Sequence, residues 1–276
     1  MNENPENTGF KGFLAARPWL IPTCVAVVVL IIALVFGLRG CQSEEPPVTD
    51  PATDPTDVTT EPTDPETVPG ETQPLVMLPN MEELWNQNPD TAGYIRIDGT
   101  KLDYPVMYTP DDEQKYNHMD FNGNYKYAGL PFINMDCSID PESDNLVIYG
   151  HNMKNGTGFS TVIQYRSEKF FQDHPTVFYS TLYEEREYEV VAAFYDKVYF
   201  NYDEVFKFYE FIDYENDIQF NEAVEYWKAK SEYDTGVEPQ YGDRFLTLVT
   251  CSYHEKYGRF VVIARYPGEE PVAEAE

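Results

Sequence analysis

The most informative stretch of this chain is Arg244-Phe-Leu-Thr-Leu-Val-Thr-Cys251, an apolar and β-branched run that predicts a buried strand ending in a thiol. A similar run, Asn145-Leu-Val-Ile-Tyr149, lies far upstream and is followed directly by Gly150-His151. A third run, at residues 259–266, begins with the guanidinium of Arg259. Each of these predicted strands therefore carries one reactive side chain at its end.

These three side chains fit a single kind of chemistry. A thiol that attacks a carbonyl needs a partner that creates the thiolate, and it needs positive charge where the oxyanion develops. Cys251, His151 and Arg259 can supply these roles. The apolar run breaks after Cys251 into Ser-Tyr-His-Glu-Lys, so the thiol is expected at a strand exit. The structural alternatives are a buried thiol, a hydrogen-bonded rim histidine and a surface salt bridge to Glu255 or an aspartate.

Three other histidines compete with His151 for the acid–base role. His254 lies in the charged connection that follows Cys251 and is expected to be solvated. His118 and His174 do not follow a strong apolar run. His151 ends a predicted strand and follows Gly150, which allows close backbone approach. A histidine at a strand end is often a hydrogen-bonded rim residue, so the residues alone leave the choice open, and the family resemblance described below selects His151.

The last predicted strand offers two arginines. Period-two alternation puts Arg259 and Arg265 on one face of that strand. A hairpin that begins at Cys251 can bring Arg259 to the thiol and leaves Arg265 at the far end. Thr250, which precedes the nucleophile, is a candidate substrate-binding residue, and its alternative is a plain strand-forming residue.

The rest of the pattern predicts a mostly β fold with helices. A short helix is expected at residues 81–87, and an amphipathic helix at residues 214–233 has apolar positions at Ile218, Ala223, Val224 and Trp227. Further strands are predicted at residues 94–97, 102–107, 130–134, 176–180 and 187–199. Many strands with one long helix between two of them indicate a closed or nearly closed β-barrel with helical decoration.

The chain resembles the sortase family, and specifically its class B branch. The resemblance is carried by Thr247-Leu-Val-Thr-Cys251, the strand at residues 258–262, Tyr149-Gly-His-Asn-Met153 and the opening strands within residues 88–106. It covers roughly residues 76 to 267. It implies a closed eight-stranded sortase-type barrel with an N-terminal helix and a long helix before the cysteine strand.

The resemblance also implies an activity, that of a cysteine transpeptidase with His151, Cys251 and Arg259 as catalytic residues and no metal or cofactor. Such an enzyme cleaves a sorting motif near the C terminus of a secreted protein and holds the acyl group as a thioester on Cys251. An amine on a cell-wall precursor or a pilin then resolves the thioester. Two alternatives stay open: a cell-wall cysteine hydrolase, and a non-enzymatic anchored surface protein.

Composition limits the classes of ligand that this chain is expected to bind. The net charge of -29 argues against nucleic acid, because phosphate neutralisation needs clustered Lys and Arg. The four cysteines show no zinc-site spacing and no disulfide framework, with a Cys41–Cys137 bridge as an open alternative. No acidic cluster follows the EF-hand pattern, so no metal site is predicted.

The N-terminal third predicts a membrane anchor and a spacer. Residues 19–38 form an uncharged apolar run long enough to cross a bilayer as a helix, which leaves residues 1–18 as a cytoplasmic tail. Residues 39–75 are rich in Thr, Pro, Asp and Glu and predict a disordered linker. Residues 76–268 are then the catalytic domain, and residues 269–276 a disordered acidic tail.

This organisation predicts a single-pass protein of the cell membrane, with the N terminus in the cytoplasm and the catalytic domain outside, and the resemblance to sortases implies a Gram-positive cell. A cleaved signal peptide is one alternative, with Gly37 and Gly40 as weak small-residue sites. A lipobox at Leu38-Arg-Gly-Cys41 is another, although Arg39 stands where a small uncharged residue is needed.

Overall fold

Eight strands of this chain close into a barrel. The computed structural model describes residues 75–268. The strands are β1 (Thr91–Arg96), β2 (Asp103–Met107), β3 (Phe132–Ile133), β4 (Asn145–Gly150), β5 (Thr176–Ser180), β6 (Glu185–Lys197), β7 (Arg244–Cys251) and β8 (Gly258–Tyr266). They pair in the order β1-β2-β3-β4-β7-β8-β6-β5, and β5 pairs back onto β1. The predicted closed eight-stranded barrel is confirmed.

Two parallel strand pairs determine which strand ends meet. β2 pairs in parallel with β3, and β4 pairs in parallel with β7, whereas the other neighbours are antiparallel. Because β4 and β7 run in the same direction, their carboxyl ends lie at one rim of the barrel. β8 runs antiparallel to β7, so it begins at that rim. We call this end of the barrel the β4–β7 rim.

Within residues 75–268, three α-helices and two 3-10 helices decorate the barrel. The α-helices are α1 (Pro79–Gln87), α2 (Glu168–Asp173) and α3 (Asp217–Lys230), and the 3-10 helices span Lys115–His118 and Phe159–Arg166. α1 and α3 occupy the places that the sequence predicts. α2 and both 3-10 helices were not predicted, because each is too short to show a helical period.

Helix α3 covers the barrel with one face. It begins after Asn216, whose side chain accepts a hydrogen bond from Gln219 N at 3.0 Å and so caps the helix. Its buried residues are Phe220, Ala223 and Trp227, a spacing that lines one side of a helix. Ile218 is 65% exposed, so its predicted place on the apolar face is wrong. It lies outside the 220, 223, 227 series and points away from the barrel.

Strands β7 and β8 are buried on both faces. Every residue from Phe245 to Thr250 is buried, and so is every residue from Phe260 to Ala264. The barrel interior covers one face, and the 3-10 helix Phe159–Arg166 packs against both strands. This explains why the two strands are continuous apolar runs instead of alternating ones.

Several predicted boundaries shift in the structure. β1 begins at Thr91 and not at residue 94, β3 shrinks to Phe132–Ile133, and β6 covers Glu185–Lys197 and not residues 187–199. Cys137 is buried and has no disulfide partner among residues 75–268, and Cys41, its alternative partner, lies outside the described residues. Throughout residues 75–268, each helix falls short of the length or apolarity that a bilayer span requires. The predicted membrane helix, the acidic tail and nearly all of the predicted linker lie outside the described residues.

Candidate active site

The thiol and the guanidinium face each other across a hairpin. β7 ends at Cys251, which lies directly opposite Arg259 in the antiparallel register with β8. Opposite residues on antiparallel strands point to the same face with Cβ atoms about 4.5–5.5 Å apart. Ser252 N donates to Gly258 O at 3.0 Å and closes the connection between the strands. The hairpin therefore brings Arg259, and not Arg265, to the thiol.

The histidine reaches the same rim on the neighbouring strand. Thr250 of β7 pairs with Gly150 of β4 in parallel register, so the next residues, Cys251 and His151, leave the barrel together. A Cβ at Gly150 would lie 2.5 Å from the ring of Phe159, which explains why glycine precedes the histidine. Asn152 Nδ2 donates to Cys251 O at 3.0 Å and joins the two strand exits.

One cavity at the β4–β7 rim contains all three side chains. It has a volume of about 440 Å³, within the usual range for ligand sites. Cys251, His151 and Arg259 all line it. Its wall is otherwise mainly aromatic and aliphatic, with residues Phe132, Tyr149, Val198, Phe208, Tyr209 and Val249. Its polar part consists of Glu113, Gln114, Asn117, Asn134, Asp136 and Thr250.

His151 is half-buried and held at one ring nitrogen. Its Nε2 lies 2.9 Å from the carbonyl oxygen of Asn117. Burial lowers the pKa of His151, the bond to the Asn117 carbonyl acts in the opposite direction, and the charge of nearby His118 lowers the pKa further. The neutral imidazole is therefore favoured over the charged form more than in a free histidine.

Arg259 keeps its charge unpaired within residues 75–268. Its Nη1 donates to the carbonyl oxygens of Tyr257 at 3.3 Å and Gly258 at 3.0 Å, and no carboxylate of the described chain forms a salt bridge with it. Glu255, the alternative partner, instead pairs with Lys197 at 3.0 Å. Two backbone carbonyls orient the guanidinium and leave donors free for a ligand, because the group carries five N–H donors.

Thr250 lines the cavity, but its hydroxyl is bonded to the backbone. The residue is 1% exposed, and its Oγ1 donates to Gly150 O at 2.8 Å. The bond spans the two parallel strands that carry the histidine and the thiol. Thr250 therefore has a structural role here, and its predicted substrate-binding role stays a prediction.

The competing histidines lie in three different settings. His254 is exposed, with Nδ1 2.9 Å from Ser252 Oγ, and His174 packs against Phe170 with ring centroids 4.5 Å apart. His118, in contrast, stacks on His151 with ring centroids 5.1 Å apart. Sequence reasoning missed this contact, because the polar segment around His118 has no period that would bring it to the rim.

Comparison with known proteins agrees with the fold and the site geometry described above. The model of the sortase domain matches residues 95–266. Sortase B of Listeria monocytogenes is 31% identical over 184 residues, which is 66% of this chain and 72% of that protein. A Staphylococcus aureus sortase B–substrate complex superposes with a TM-score of 0.62 at 26% identity, over 70% of this chain and 87% of that one. A sortase B complexed with triglycine superposes with a TM-score of 0.61 at 27% identity, with the same coverage.

The closed barrel and the matched relatives define a cysteine transpeptidase. The chain belongs to the sortase family, and the relatives that it matches are sortases of class B. The family and the enzyme class that the sequence predicts are therefore confirmed. The catalytic roles of Cys251, His151 and Arg259 stay predictions.

Proposed function

We propose that this protein is a membrane-anchored sortase that cleaves a sorting motif near the C terminus of secreted proteins and transfers them to an amine of the cell wall or of a pilin. The observation that carries the proposal is the convergence of Cys251, His151 and Arg259 in one cavity at the β4–β7 rim. Class B relatives support the substrate class, since one of their structures contains a substrate and another contains triglycine. Triglycine carries a free amine at one end, which favours an amine acceptor here as well.

The first half-reaction transfers the acyl group to sulfur. The Cys251 thiolate attacks the scissile carbonyl carbon, the new C–S bond forms, and the carbonyl electrons move to oxygen. Arg259 stabilises that oxyanion, because it stays charged at any relevant pH and lies across the hairpin from the thiol. When the intermediate collapses, the C–N bond breaks and the imidazolium of His151 gives its proton to the leaving amine. The product is a thioester.

The second half-reaction returns the site to its starting state. An incoming amine attacks the thioester carbonyl, and neutral His151 takes the proton of that amine. The C–S bond breaks, which restores the thiolate and the imidazolium together. An ordinary thiol has a pKa of about 8.5 and an ordinary imidazole about 6.5, so only a minority of molecules carry both charges at neutral pH. The lowered pKa of His151 makes that minority smaller.

The proposed cellular position rests on the N-terminal sequence. The uncharged run at residues 19–38 matches the thickness of a bilayer, and the acidic linker after it suits a spacer between membrane and barrel. An N-in, C-out orientation puts the cavity outside the cell, where secreted proteins and cell-wall amines are found. A protease-protection assay on intact cells, with a tag at each terminus, tests this orientation.

A peptide library tests the proposed reaction. The full chain in detergent is incubated with pentapeptide motifs, with and without triglycine, and adducts and products are identified by mass. We expect a thioester on Cys251 and a new peptide bond to triglycine, neither of which forms with Cys251→Ala. Cleavage whose products ignore the added amine would instead identify a hydrolase. Product formation by Cys251→Ala would refute the proposed nucleophile.

A further inference from the structure

Three aromatic rings lie nearly parallel beside the cavity. The His118 and His151 rings have centroids 5.1 Å apart with an interplanar angle of 15°. Tyr127 joins them, at 5.4 Å from His118 and 6.2 Å from His151. We call these three residues the ring stack. Because two of the rings are imidazoles, the stack places a second titratable group against the proposed acid–base residue.

Backbone carbonyls hold both imidazoles. A carbonyl oxygen only accepts hydrogen bonds, so Asn117 O at 2.9 Å requires that His151 Nε2 carries a proton. The neutral His151 ring then has its lone pair at Nδ1. Tyr127 O at 2.9 Å in the same way requires a proton on Nδ1 of His118. The nitrogen of His151 that is free to exchange protons with a substrate is therefore Nδ1.

The segment that carries these contacts is tightly packed. The 3-10 helix Lys115–His118 supplies both the Asn117 carbonyl and the His118 ring. Lys126 N donates to His118 O at 3.0 Å, and Leu130 N donates to Tyr116 O at 3.1 Å, which joins the helix to the chain that returns past Tyr127. A Cβ at Gly129 would lie 2.3 Å from Tyr116 O, so the two segments of chain touch.

We propose that His118 is a positioning residue whose stacked ring keeps the His151 ring oriented with Nε2 toward the Asn117 carbonyl, and that the charge of a protonated His118 opposes the protonation of His151. The proposal rests on the acid–base role proposed for His151. It assigns two separable contributions to one side chain. The ring fixes the orientation of His151, and the charge shifts the pH at which His151 ionises.

His118 is the second imidazole that lies against the His151 ring. The charged groups that share the cavity with His151 are Glu113, Asp136 and Arg259. The other titratable groups that line the cavity or touch the ring are His118, Tyr127, Tyr149, Tyr209 and Cys251. In model compounds carboxylic acids ionise at about pH 4, thiols at about pH 8.5, and phenols and guanidinium groups at about pH 10 or above, whereas imidazole ionises at about pH 6.5. Two stacked imidazolium ions repel each other.

Two substitutions separate the ring from its charge. His118→Phe keeps an aromatic ring against His151 and removes the charge, whereas His118→Ala removes both. His174→Phe is the matched control, because His174 also packs against an aromatic ring, Phe170, but outside the cavity. All variants are made in the full chain in detergent, and thermal unfolding confirms that each one is folded.

The first readout is independent of activity. The chain has four histidines, so histidine-selective ¹⁵N labelling resolves them individually in the Cys251→Ala background. We expect ¹⁵N shifts of His151 that show a protonated Nε2 and an unprotonated Nδ1. We expect the pKa of His151 to rise by about half a unit in His118→Phe and His118→Ala, since each removes a like charge. His174→Phe should leave it unchanged.

The second readout is the pH profile of kcat/KM for the peptide and amine of the library experiment. The acid limb should move to higher pH in both His118 variants. At the plateau, His118→Phe should gain up to about threefold, because more molecules carry the imidazolium and the thiolate together. His118→Ala should lie about tenfold below His118→Phe, because a misplaced group loses rate steeply. His174→Phe should match the unsubstituted protein in both respects.

Specific results would overturn the proposal. A His151 with its proton on Nδ1, or a pKa of His151 that does not rise in His118→Phe, would refute the roles assigned to the Asn117 carbonyl and to the His118 charge. Equal plateau values in His118→Phe and His118→Ala would refute positioning by the ring. Failure of the proposed function looks different: the amine-dependent product would then be absent with the unsubstituted protein, or would form with Cys251→Ala as well, whatever the NMR titration shows.

Discussion

The two ends of strand β8 carry arginines on the same face, but only the arginine at the carboxyl end forms salt bridges within residues 75–268. Arg265 is paired twice, with Asp243 at 2.8 Å and Glu189 at 2.8 Å. Arg259, six residues earlier, donates only to backbone carbonyls and forms no salt bridge within residues 75–268. One strand thus ends in a satisfied ion-pair network at one rim of the barrel and in an uncompensated cation at the other.

The two described cysteines repeat this contrast. Cys137 is 2% exposed, and its Sγ lies 3.5 Å from both Asn145 O and Val147 N. Burial raises the pKa of the Cys137 thiol to about 12, so at neutral pH it is an inert apolar group. Cys251 is half-buried and opens into the cavity beside the unpaired Arg259.

We interpret the difference as a division between side chains that stabilise the barrel and side chains proposed to carry out the reaction. At the rim of Arg265, the guanidinium and its two carboxylates are paired with one another, so their interactions stabilise the fold. At the β4–β7 rim, backbone carbonyls hold the imidazole of His151 and the guanidinium of Arg259, the thiol of Cys251 lies in the same cavity, and neither basic group forms a salt bridge within residues 75–268. Groups left incompletely paired in a cleft are what a reaction with a peptide requires.

Replacing each of the two thiols by alanine gives the largest expected effect. Cys251→Ala should lower the rate of transpeptidation by about 10⁴-fold or more, because the nucleophile is lost, with little change in unfolding free energy. Cys137→Ala should leave kcat within about twofold and lower the free energy of unfolding by about 1 kcal/mol, since it removes a buried sulfur. Product formation assays and urea titrations measure the two quantities. A large loss of rate in Cys137→Ala, with little loss in Cys251→Ala, would contradict the roles assigned to the two thiols.

The arginines provide a second test, with smaller effects. Arg259→Ala should lower kcat about 10²- to 10³-fold with unchanged stability, as expected when an oxyanion donor is removed. Arg259→Lys should recover part of this loss, because the charge remains while the planar fork does not. Arg265→Met should keep kcat and lower the free energy of unfolding by about 2 kcal/mol, because Asp243 is left buried without its partner. If Arg265→Met folds but loses kcat, the assignment of Arg265 to stability and of Arg259 to the reaction is contradicted.

Much of the β4–β7 rim could be predicted from the sequence, because its strands are visible as local patterns. The apolar runs that end at Gly150 and Cys251 break abruptly into polar residues, and a short connection before Arg259 favours an antiparallel hairpin. Those local features suffice to bring three reactive side chains to strand ends. The parallel pairing of β4 with β7, which makes two of the ends coincide, is not visible in the pattern, because two strands far apart in the chain carry no local signal of their relative direction.

The parts that could not be predicted depend on contacts between segments that lack a period. His118 and the Asn117 carbonyl reach His151 from a 3-10 helix of four residues, in a polar stretch with no alternation. Ile218 was misplaced because two apolar faces are available in that helix, and only the barrel surface selects the one with Phe220 and Trp227. In both cases tertiary packing, and not local pattern, decides the outcome.

Thr250 tests whether the β4–β7 rim depends on its backbone bonds. Thr250→Val keeps the shape and removes the hydroxyl that donates to Gly150 O, so the free energy of unfolding should fall by about 1 kcal/mol. Thr250→Ser keeps the hydroxyl and should lose less. If the hydroxyl also contacts the peptide, KM should rise in Thr250→Val even under conditions in which the variant is fully folded. Chemical denaturation and steady-state kinetics on the two variants separate these cases.

The pH dependence of stability gives the smallest expected effect. The pKa of His151 is lower in the folded protein than the usual value of about 6.5 in an unfolded chain, chiefly because of burial. Between the two pKa values the unfolded chain binds more protons, so the free energy of unfolding falls as the pH drops through about 6.5. His151→Gln removes this group and should lose less stability than the unsubstituted protein between about pH 7.5 and about pH 5.5. His174→Gln, which lies outside the cavity, should behave like the unsubstituted protein in the same urea titrations. A steeper loss in His151→Gln would mean that the folded protein favours the imidazolium, and the β4–β7 rim would then hold a preformed ion pair.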